Sequence, residues 1–374
     1  LHPRVRRQRQ MCIRDRSNMY KEQKRLSYFD ALRGFSMIFV VFWHVMLFSL
    51  NIGTEQSVVN QIAVTFRMPL FFFVSGFFAY RASTKLTASL VGNILKRKIQ
   101  AQVICTIVFF SIYQLCQGQS IFAWAHDGFK GFWFTIALFQ MFIVFLMLSF
   151  ISRLFKKEYI LGFGLLFCSL IWILPELGLS WLKYFRDSEL GTVLCQKNVY
   201  YHFQFFALGI FFRKYWTHFT RILAMDWLRT GTIIIFVISI IFLYTKKTPP
   251  SPIFHKTIGI LVRYAGLMVV VSFFFYKKEF FNENNMTSRL LKYIGQRTLD
   301  IYMLHYFLLP DLEFLKPYLI TGNTVVVQTF FGIAISMVII SLCLLISNVL
   351  RSSNFLASWL FGVKPPSKTP IENI

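Results

Sequence analysis

Arg33 and His44 lie inside the first long apolar stretch of this 374-residue chain. A central arginine in a membrane helix costs about 2.5–3.5 kcal/mol on insertion scales, so such residues are functional candidates by default. The two residues are eleven positions apart. At about 100° per residue they point the same way on a helix, separated by a rise of about 16 Å. A neutral imidazole is suited to proton transfer near pH 7, and a guanidinium is suited to binding anions.

Arg67 interrupts the second apolar stretch in the same manner. If this helix runs inward from about residue 57, Arg67 lies roughly 15 Å below its outer end, and His44 lies about 12 Å below the outer end of its own helix. The spacing therefore predicts that Arg67 and His44 share a depth. Asp30, three residues before Arg33, is placed to orient the Arg33 guanidinium.

A third polar pattern occurs near residue 300. Thr298, Tyr302 and His305 fall at positions i, i+4 and i+7, which predicts one polar stripe on a helix facing a wet or polar surface. His202 and Trp133 are weaker candidates toward the outer side of the membrane.

Each candidate also has a structural interpretation. A lone membrane histidine such as His202 often only satisfies a hydrogen bond, and Trp133 is also typical of an interfacial aromatic belt. Arg33 alone would serve as a positive anchor that extends to the headgroups. Ser75 followed by Gly76 is more typical of close helix packing than of a nucleophile.

Apolar stretches of membrane-spanning length position all these residues. A spanning helix needs about 20 mostly apolar residues, with a range of about 17–25. The sequence predicts an all-α, polytopic membrane protein with about ten transmembrane helices, at 31–52, 57–80, 99–116, 131–151, 159–177, 199–216, 228–245, 258–276, 294–312 and 324–350.

Composition excludes several other classes of protein. The chain is 56% hydrophobic and only 15% charged, whereas soluble domains carry about 25% charged residues, so a soluble enzyme and a disordered chain are both excluded. The net charge of +24 does not indicate a nucleic-acid partner, because the basic residues are spread between apolar stretches. With the N-terminus inside, 23 Lys and Arg fall in inner segments and 8 in outer loops. The positive-inside rule then predicts that both termini are cytoplasmic.

The ends of the chain are interpreted separately. Residues 1–18 contain six Arg and resemble translated sequencing-adaptor read-through rather than a signal peptide, with Met19 as a plausible start. The remaining chain is predicted to form one transmembrane domain, 19–350, and a short cytoplasmic tail, 351–374. The six Cys show no Cys-x-x-Cys or zinc-type spacing, so no metal site is predicted.

Two segments carry a family resemblance. Residues 28–44, which begin YFDALRG and end at His44, resemble the opening signature of the membrane-bound acyltransferase-3 family, and residues 67–76 (RMPLFFFVSG) resemble its second motif. Looser matches follow in order at 131–134 (GFWF), 206–209 (FALG) and 294–305.

The resemblance implies transfer of an acyl group, often acetyl, from cytoplasmic acyl-CoA to a hydroxyl of a cell-surface or lipid-linked carbohydrate. It implies no permanently bound cofactor and a location in a bacterial inner membrane, with glycan-biosynthesis proteins as potential partners. Since the chain ends soon after the last predicted helix, it is similar to the stand-alone members that lack an esterase-like domain.

Specific roles follow from that chemistry. His44 is expected to act as the general base, Arg67 to stabilise the oxyanion or bind the acceptor, and Arg33 to bind the donor. Basic residues on the inner side are expected to hold the CoA phosphates, and three further residues to bind the acceptor. The phosphate-binding set is Lys96, Arg97 and Lys98, with Lys277 and Lys278; the acceptor set is Trp133, Tyr302 and His305.

Two alternatives stay open. A ping-pong route would hold the acyl group on His44 or Ser75 before transfer. A transporter or flippase for glycans or organic acids would use the same buried charges as a substrate path. The paired motifs favour the enzyme, and the lack of a visible internal repeat favours it weakly.

Overall fold

The computed structural model describes residues 26–80, 88–175, 177–245, 252–320 and 324–362. Within these ranges helices are the only regular secondary structure, which confirms the predicted all-α fold. In chain order they are α1 (Ser27–His44), α2 (Val58–Ala79), α3 (Ala88–Lys98), α4 (Cys105–Cys116), α5 (Trp124–Asp127), α6 (Trp133–Leu154), α7 (Glu158–Leu170), α8 (Ser180–Asp187), α9 (Glu189–Val193), α10 (Gln196–Lys214), α11 (Trp216–Leu223), α12 (Asp226–Thr245), α13 (Pro252–Tyr276), α14 (Lys278–Asn282), α15 (Met286–Gln296), α16 (Thr298–Leu304), α17 (Lys316–Ile320), α18 (Thr324–Ser352) and α19 (Asn354–Phe361).

Several of these helices are long and apolar enough to cross a membrane. Among the described residues six qualify, and a seventh forms if two helices joined by a 78° bend count as one span. The six are Ser27–Ser49, Val58–Ala79, Ser89–Cys116, Trp133–Leu154, Lys256–Tyr276 and Val325–Ser352, and the bent pair is Trp216–Leu223 with Asp226–Phe242. The chain is therefore a multi-pass membrane protein, although the predicted count of about ten is not confirmed.

The differences from the predicted spans have local causes. The predicted fifth span, 159–177, is helical only as Glu158–Leu170, and residues 171–175 continue in turns. The predicted ninth span, 294–312, is wrong as one continuous helix, because the chain breaks at Arg297 and leaves the helical conformation after Leu308. The helix at the sixth predicted span, Gln196–Lys214, carries Gln, Asn, His and Lys side chains that lower its hydropathy.

Helix α10 tolerates those polar residues because it is enclosed by other helices. It packs against α2, α6 and α7, and ten of its residues are buried. Helix α1 is similarly enclosed, by α2, α15 and α18. The centre of the bundle is therefore protein rather than lipid, and polar groups there can find protein partners.

Glycines set how closely helices α2 and α10 approach each other. Gly76 of α2 faces the Phe206 carbonyl of α10, and Gly209 of α10 faces the Phe73 carbonyl of α2. A Cβ atom at either glycine would overlap the facing backbone oxygen. Gly76 therefore serves close helix packing, as small residues commonly do in membrane bundles.

We expect Gly209→Ala to destabilise the fold, since the added methyl group meets backbone atoms that have no alternative conformation within the helix. Overpacking of this kind costs about 1–3 kcal/mol. Gly92→Ala is the matched control, because no heavy atom lies within 4 Å of its added Cβ. Thermal unfolding in detergent should show a lower melting temperature for Gly209→Ala only; equal melting temperatures would contradict the close packing of α2 on α10.

The segment predicted as a cytoplasmic tail contains a helix that packs against the bundle. In the segment predicted as a cytoplasmic tail, α19 places Phe361 with its ring 6.3 Å from that of Phe109, and the Arg351 guanidinium lies 4.9 Å from the Phe361 ring centroid. The basic segment 1–18 and the residues after 362 lie outside the described residues.

Candidate active site

His44 lies at the last residue of α1, where the helix widens into a π-helical turn, Val45–Ser49. Single π turns within α-helices are frequent at functional sites. The His44 ring uses both nitrogens. Its Nδ1 lies 3.1 Å from His305 Nε2, and its Nε2 lies 2.8 Å from the Tyr306 hydroxyl. All three side chains are buried.

The break at Arg297 brings His305 to this position. Residues after the break form the short helix α16 and one 3-10 turn, His305–Leu308, so His305 sits at the end of a redirected segment. A buried charge cluster fixes α16 against α18. The Asp300 carboxylate accepts two hydrogen bonds from Arg351, at 2.6 and 2.8 Å, and one from the Ser347 hydroxyl, and Arg297 lies 3.6 Å away.

The predicted polar stripe faces α1 and α6. Thr298 accepts a hydrogen bond of 2.9 Å from Arg33, and His305 meets His44. Arg33 and His44 therefore contact the same segment, as their spacing on one face of α1 predicts. Gly34 and Gly295 make this close approach possible, because each faces a backbone carbonyl of the opposing helix.

The Gly131 carbonyl oxygen joins Tyr302 and Tyr306. The Tyr302 hydroxyl donates to it at 2.7 Å, and the Tyr306 hydroxyl lies 3.3 Å from it. Gly131 has φ +80°, and a Cβ atom there would contact the Tyr306 ring, so this position requires glycine. Tyr302 also accepts a hydrogen bond of 3.2 Å from the Phe134 amide.

Arg67 is only 9% exposed and extends toward His44. The Ser36 hydroxyl donates to the Arg67 carbonyl, so the Arg67 backbone lies nearer the start of α1 than His44 does. Side chains lean toward the N-terminus of their own helix, and α2 runs antiparallel to α1, so the guanidinium returns toward His44. Its Cζ lies 3.9 Å from the ring centroid of Trp43, the residue before His44.

The guanidinium of Arg67 lacks an acidic partner. Among the described residues no carboxylate forms an ion pair with it, and its buried Nε has no hydrogen-bond acceptor. Burying a guanidinium without an acidic partner is costly, which makes Arg67 a functional candidate.

A cavity of about 660 Å³ approaches the same region from one end of the bundle. At that end, which we call the basic end, its lining includes four cationic residues and Glu158; Arg33 and Tyr302 also line the cavity, and much of the remaining wall is apolar and aromatic. The four cations of the basic end are Arg97, Lys98, Arg153 and Lys214. Glu158 is paired with Lys214 at 3.2 Å, so a net positive charge remains.

Trp133 lies apart from this cavity in an aromatic stack. Its ring centroid is 5.4 Å from that of His202 and 6.2 Å from that of Phe72, with interplanar angles near 30°. His202 Nδ1 lies 3.0 Å from the Asn198 carbonyl of its own helix. This contact fits the structural interpretation of His202.

The predicted residues thus form two groups and leave some outside. His44, His305 and Arg67 gather at one level, whereas Arg33, Tyr302, Arg97 and Lys98 line the cavity. Lys96, Lys277 and Lys278 are not among the lining residues.

Sequence reasoning did not single out Tyr306, Arg153 or Lys214. The last two belong to inner basic segments, but spacing alone could not show which cations face inward. Among the described residues no cluster of His, Cys, Asp or Glu could hold a metal ion.

The comparisons with known proteins agree with this architecture. A family described as an acyltransferase domain matches residues 26–346, which is most of the chain. No curated protein and no solved structure matches. The chain belongs to the membrane-bound acyltransferase-3 family and is an acyltransferase that transfers groups other than amino-acyl groups.

Proposed function

We propose that the protein transfers an acyl group, acetyl in the simplest case, from cytoplasmic acyl-CoA to a hydroxyl of a cell-surface or lipid-linked carbohydrate in a bacterial inner membrane. The cavity is the observation that carries this proposal. Its basic end offers cations for the CoA phosphates, and its largely apolar and aromatic wall suits a pantetheine arm that would reach Tyr302. Arginine and lysine are the residues that bind phosphate groups through charge-assisted hydrogen bonds.

The residues beyond the cavity supply the chemistry. His44 accepts the proton of the acceptor hydroxyl, whose oxygen attacks the thioester carbonyl carbon. The tetrahedral oxyanion is stabilised by the Arg67 guanidinium, which forms no ion pair with a carboxylate of the described residues. When the carbon–sulfur bond breaks, the CoA thiolate leaves and takes the proton from His44. Tyr302 forms the end wall of the donor cavity in this scheme, rather than part of the acceptor site, and Trp133 remains an acceptor candidate through its aromatic stack.

The phosphate-binding role of the basic end is tested by Arg97→Gln. Loss of a hydrogen bond to a charged group costs about 1.5–3 kcal/mol, so the KM for acetyl-CoA should rise by at least about tenfold while kcat is little changed. Arg221→Gln is the control, because Arg221 is exposed on α11 and does not line the cavity. Steady-state kinetics of CoA thiol release would measure both; equal KM values for the two variants would contradict the assignment.

The carbohydrate acceptor is tested in cells. Cells that express the protein and receive labelled acetate should carry base-labile label on envelope or lipid-linked glycans, and cells that express His44→Gln should not. Label confined to proteins or to phospholipids would contradict a carbohydrate acceptor. Trapping a labelled acyl-enzyme after acetyl-CoA alone would favour the ping-pong route through His44 or Ser75.

A further inference from the structure

The hydrogen bonds around His44 form a chain in which each donor and acceptor is determined by its neighbour. It begins at the backbone carbonyl of Ile301, which lies 3.1 Å from His305 Nδ1. A carbonyl oxygen is an acceptor only, so His305 must carry its proton on Nδ1. With both rings neutral, His305 Nε2 then has a lone pair, and His44 Nδ1–H donates to it across 3.1 Å.

The proton on Nδ1 also determines what the other ring nitrogen of His44 can do. Since Nδ1 of His44 carries the proton, its Nε2 has the lone pair and accepts from the Tyr306 hydroxyl at 2.8 Å. The competing acceptor for that hydroxyl, the Gly131 carbonyl, is farther away at 3.3 Å. The proton of Tyr306 therefore points at the nitrogen that we assign as the general base.

We propose that Tyr306 is a catalytic proton relay between the acceptor hydroxyl and His44, and that His305 is the positioning residue that holds His44 in the tautomer this relay needs. The inference rests on the proposed function, because it assigns a path to the proton that His44 must accept.

The position of Tyr306 suits a relay. Its hydroxyl and that of Tyr302 both lie within 3.3 Å of the Gly131 carbonyl oxygen, and Tyr302 lines the donor cavity. On the other side, Phe48 stacks on His44 at 5.8 Å and lies 6.2 Å from the Tyr306 ring, and it is 56% exposed. His44 and Tyr306 thus lie near Tyr302 of the donor cavity and near the exposed ring of Phe48, an arrangement that suits a donor and an acceptor that approach separately.

The relay step accounts for every proton and electron pair without any additional reactant. The acceptor O–H bond breaks and its proton passes to the Tyr306 oxygen, while the Tyr306 proton passes to His44 Nε2. The acceptor oxygen keeps its electron pair and forms the bond to the thioester carbonyl carbon. Tyr306 ends the step as a neutral phenol. His44 ends it as an imidazolium whose Nδ1–H still donates a hydrogen bond to His305 Nε2. The imidazolium returns its proton to the CoA thiolate by the reverse path.

Tyr306→Phe tests the relay, because it removes the hydroxyl and keeps the ring that packs against Phe132 at 5.0 Å. The assay uses membranes that contain the protein, their endogenous glycans and ¹⁴C-acetyl-CoA. Loss of general acid–base transfer typically costs a factor of about 10²–10⁴, so we expect kcat to fall at least a hundredfold with an unchanged KM for acetyl-CoA. Tyr293→Phe is the matched control, since its hydroxyl bonds Asn348 at 3.2 Å on the exposed surface.

The positioning role is tested by a pair of variants at His305. A glutamine side chain can place an acceptor where His305 Nε2 lies, whereas leucine cannot. His305→Gln should keep kcat within about tenfold of the wild type and His305→Leu should not, again at constant KM. A purely structural role would lower the amount of folded protein for both variants without separating their kcat values.

The outcomes separate this inference from the proposed function. A Tyr306→Phe variant with less than about a tenfold fall in kcat would overturn the relay. The Tyr306 hydroxyl would then only fill the position beside His44 that the hydroxyl of the acceptor substrate takes during the reaction. Equal kcat values for His305→Gln and His305→Leu would overturn the positioning role. If the wild type itself transfers no acetyl group to any glycan, the proposed function fails instead. Acyl-transfer activity in His44→Gln would likewise count against the proposed function rather than the relay alone.

Discussion

A His44→Gln variant is expected to lose acyl transfer almost completely while it still binds acetyl-CoA. Glutamine keeps polar atoms near His305 and Tyr306, but its amide cannot accept a proton near pH 7. General-base catalysis contributes about 10²–10⁴-fold, and we expect a loss within this range in kcat. Because His44 does not line the donor cavity, the affinity for acetyl-CoA should be unchanged.

The measurement is transfer of ¹⁴C-acetyl to glycans in isolated membranes, together with equilibrium binding of acetyl-CoA. His218→Gln is the control, because His218 is exposed on α11 and makes none of the contacts of the site. A His44→Gln variant with kcat close to that of the control would remove His44 from the mechanism.

An Arg67→Met variant is expected to lose activity and to keep its stability. Removal of one oxyanion-stabilising donor typically costs about 10²–10³-fold in kcat. A structural arginine would behave differently, since deleting one partner of a buried ion pair destabilises a protein strongly. Arg67 has no such partner among the described carboxylates, and methionine can still pack beside Trp43. We therefore expect an unchanged or higher melting temperature for Arg67→Met.

Arg351→Met is the contrasting variant. Arg351 donates two hydrogen bonds to the buried Asp300 carboxylate, so its removal leaves that charge with fewer partners and should lower the melting temperature. Thermal unfolding and kcat would be measured for both. If Arg67→Met were destabilised as much as Arg351→Met, the assignment of Arg67 to the reacting groups would be wrong.

Periodicity and charge predict the parts of this site that depend on one helix at a time. Arg33 and His44 contact the same segment because eleven residues complete just over three turns. The stripe of Thr298, Tyr302 and His305 does face polar groups, since all three make hydrogen bonds to other parts of the chain. These inferences need only the geometry of an α-helix.

Features that depend on contacts between distant segments could not be predicted. His44 and His305 are 261 residues apart in the sequence, and their contact requires the break at Arg297, which hydropathy does not show. Tyr306 lies eight residues after Thr298, at the edge of the same helical stripe, but periodicity cannot show that its hydroxyl meets the His44 ring. Hydropathy also treats every apolar segment as facing lipid. It therefore cannot distinguish an enclosed helix such as α10 from a spanning helix that faces lipid.

In the proposed reaction a thioester is broken at this site and its acyl group moves to a carbohydrate. The most direct test supplies purified protein in proteoliposomes with a glycan acceptor and acetyl-CoA that carries ¹⁴C in the acetyl group and ³²P in the CoA. We expect the two labels to separate, with ¹⁴C on the glycan in base-labile form, ³²P in free CoA, and one thiol released for each acetyl group transferred. Passage of a glycan or organic acid across the membrane without any thiol release would contradict this reaction and favour a transporter.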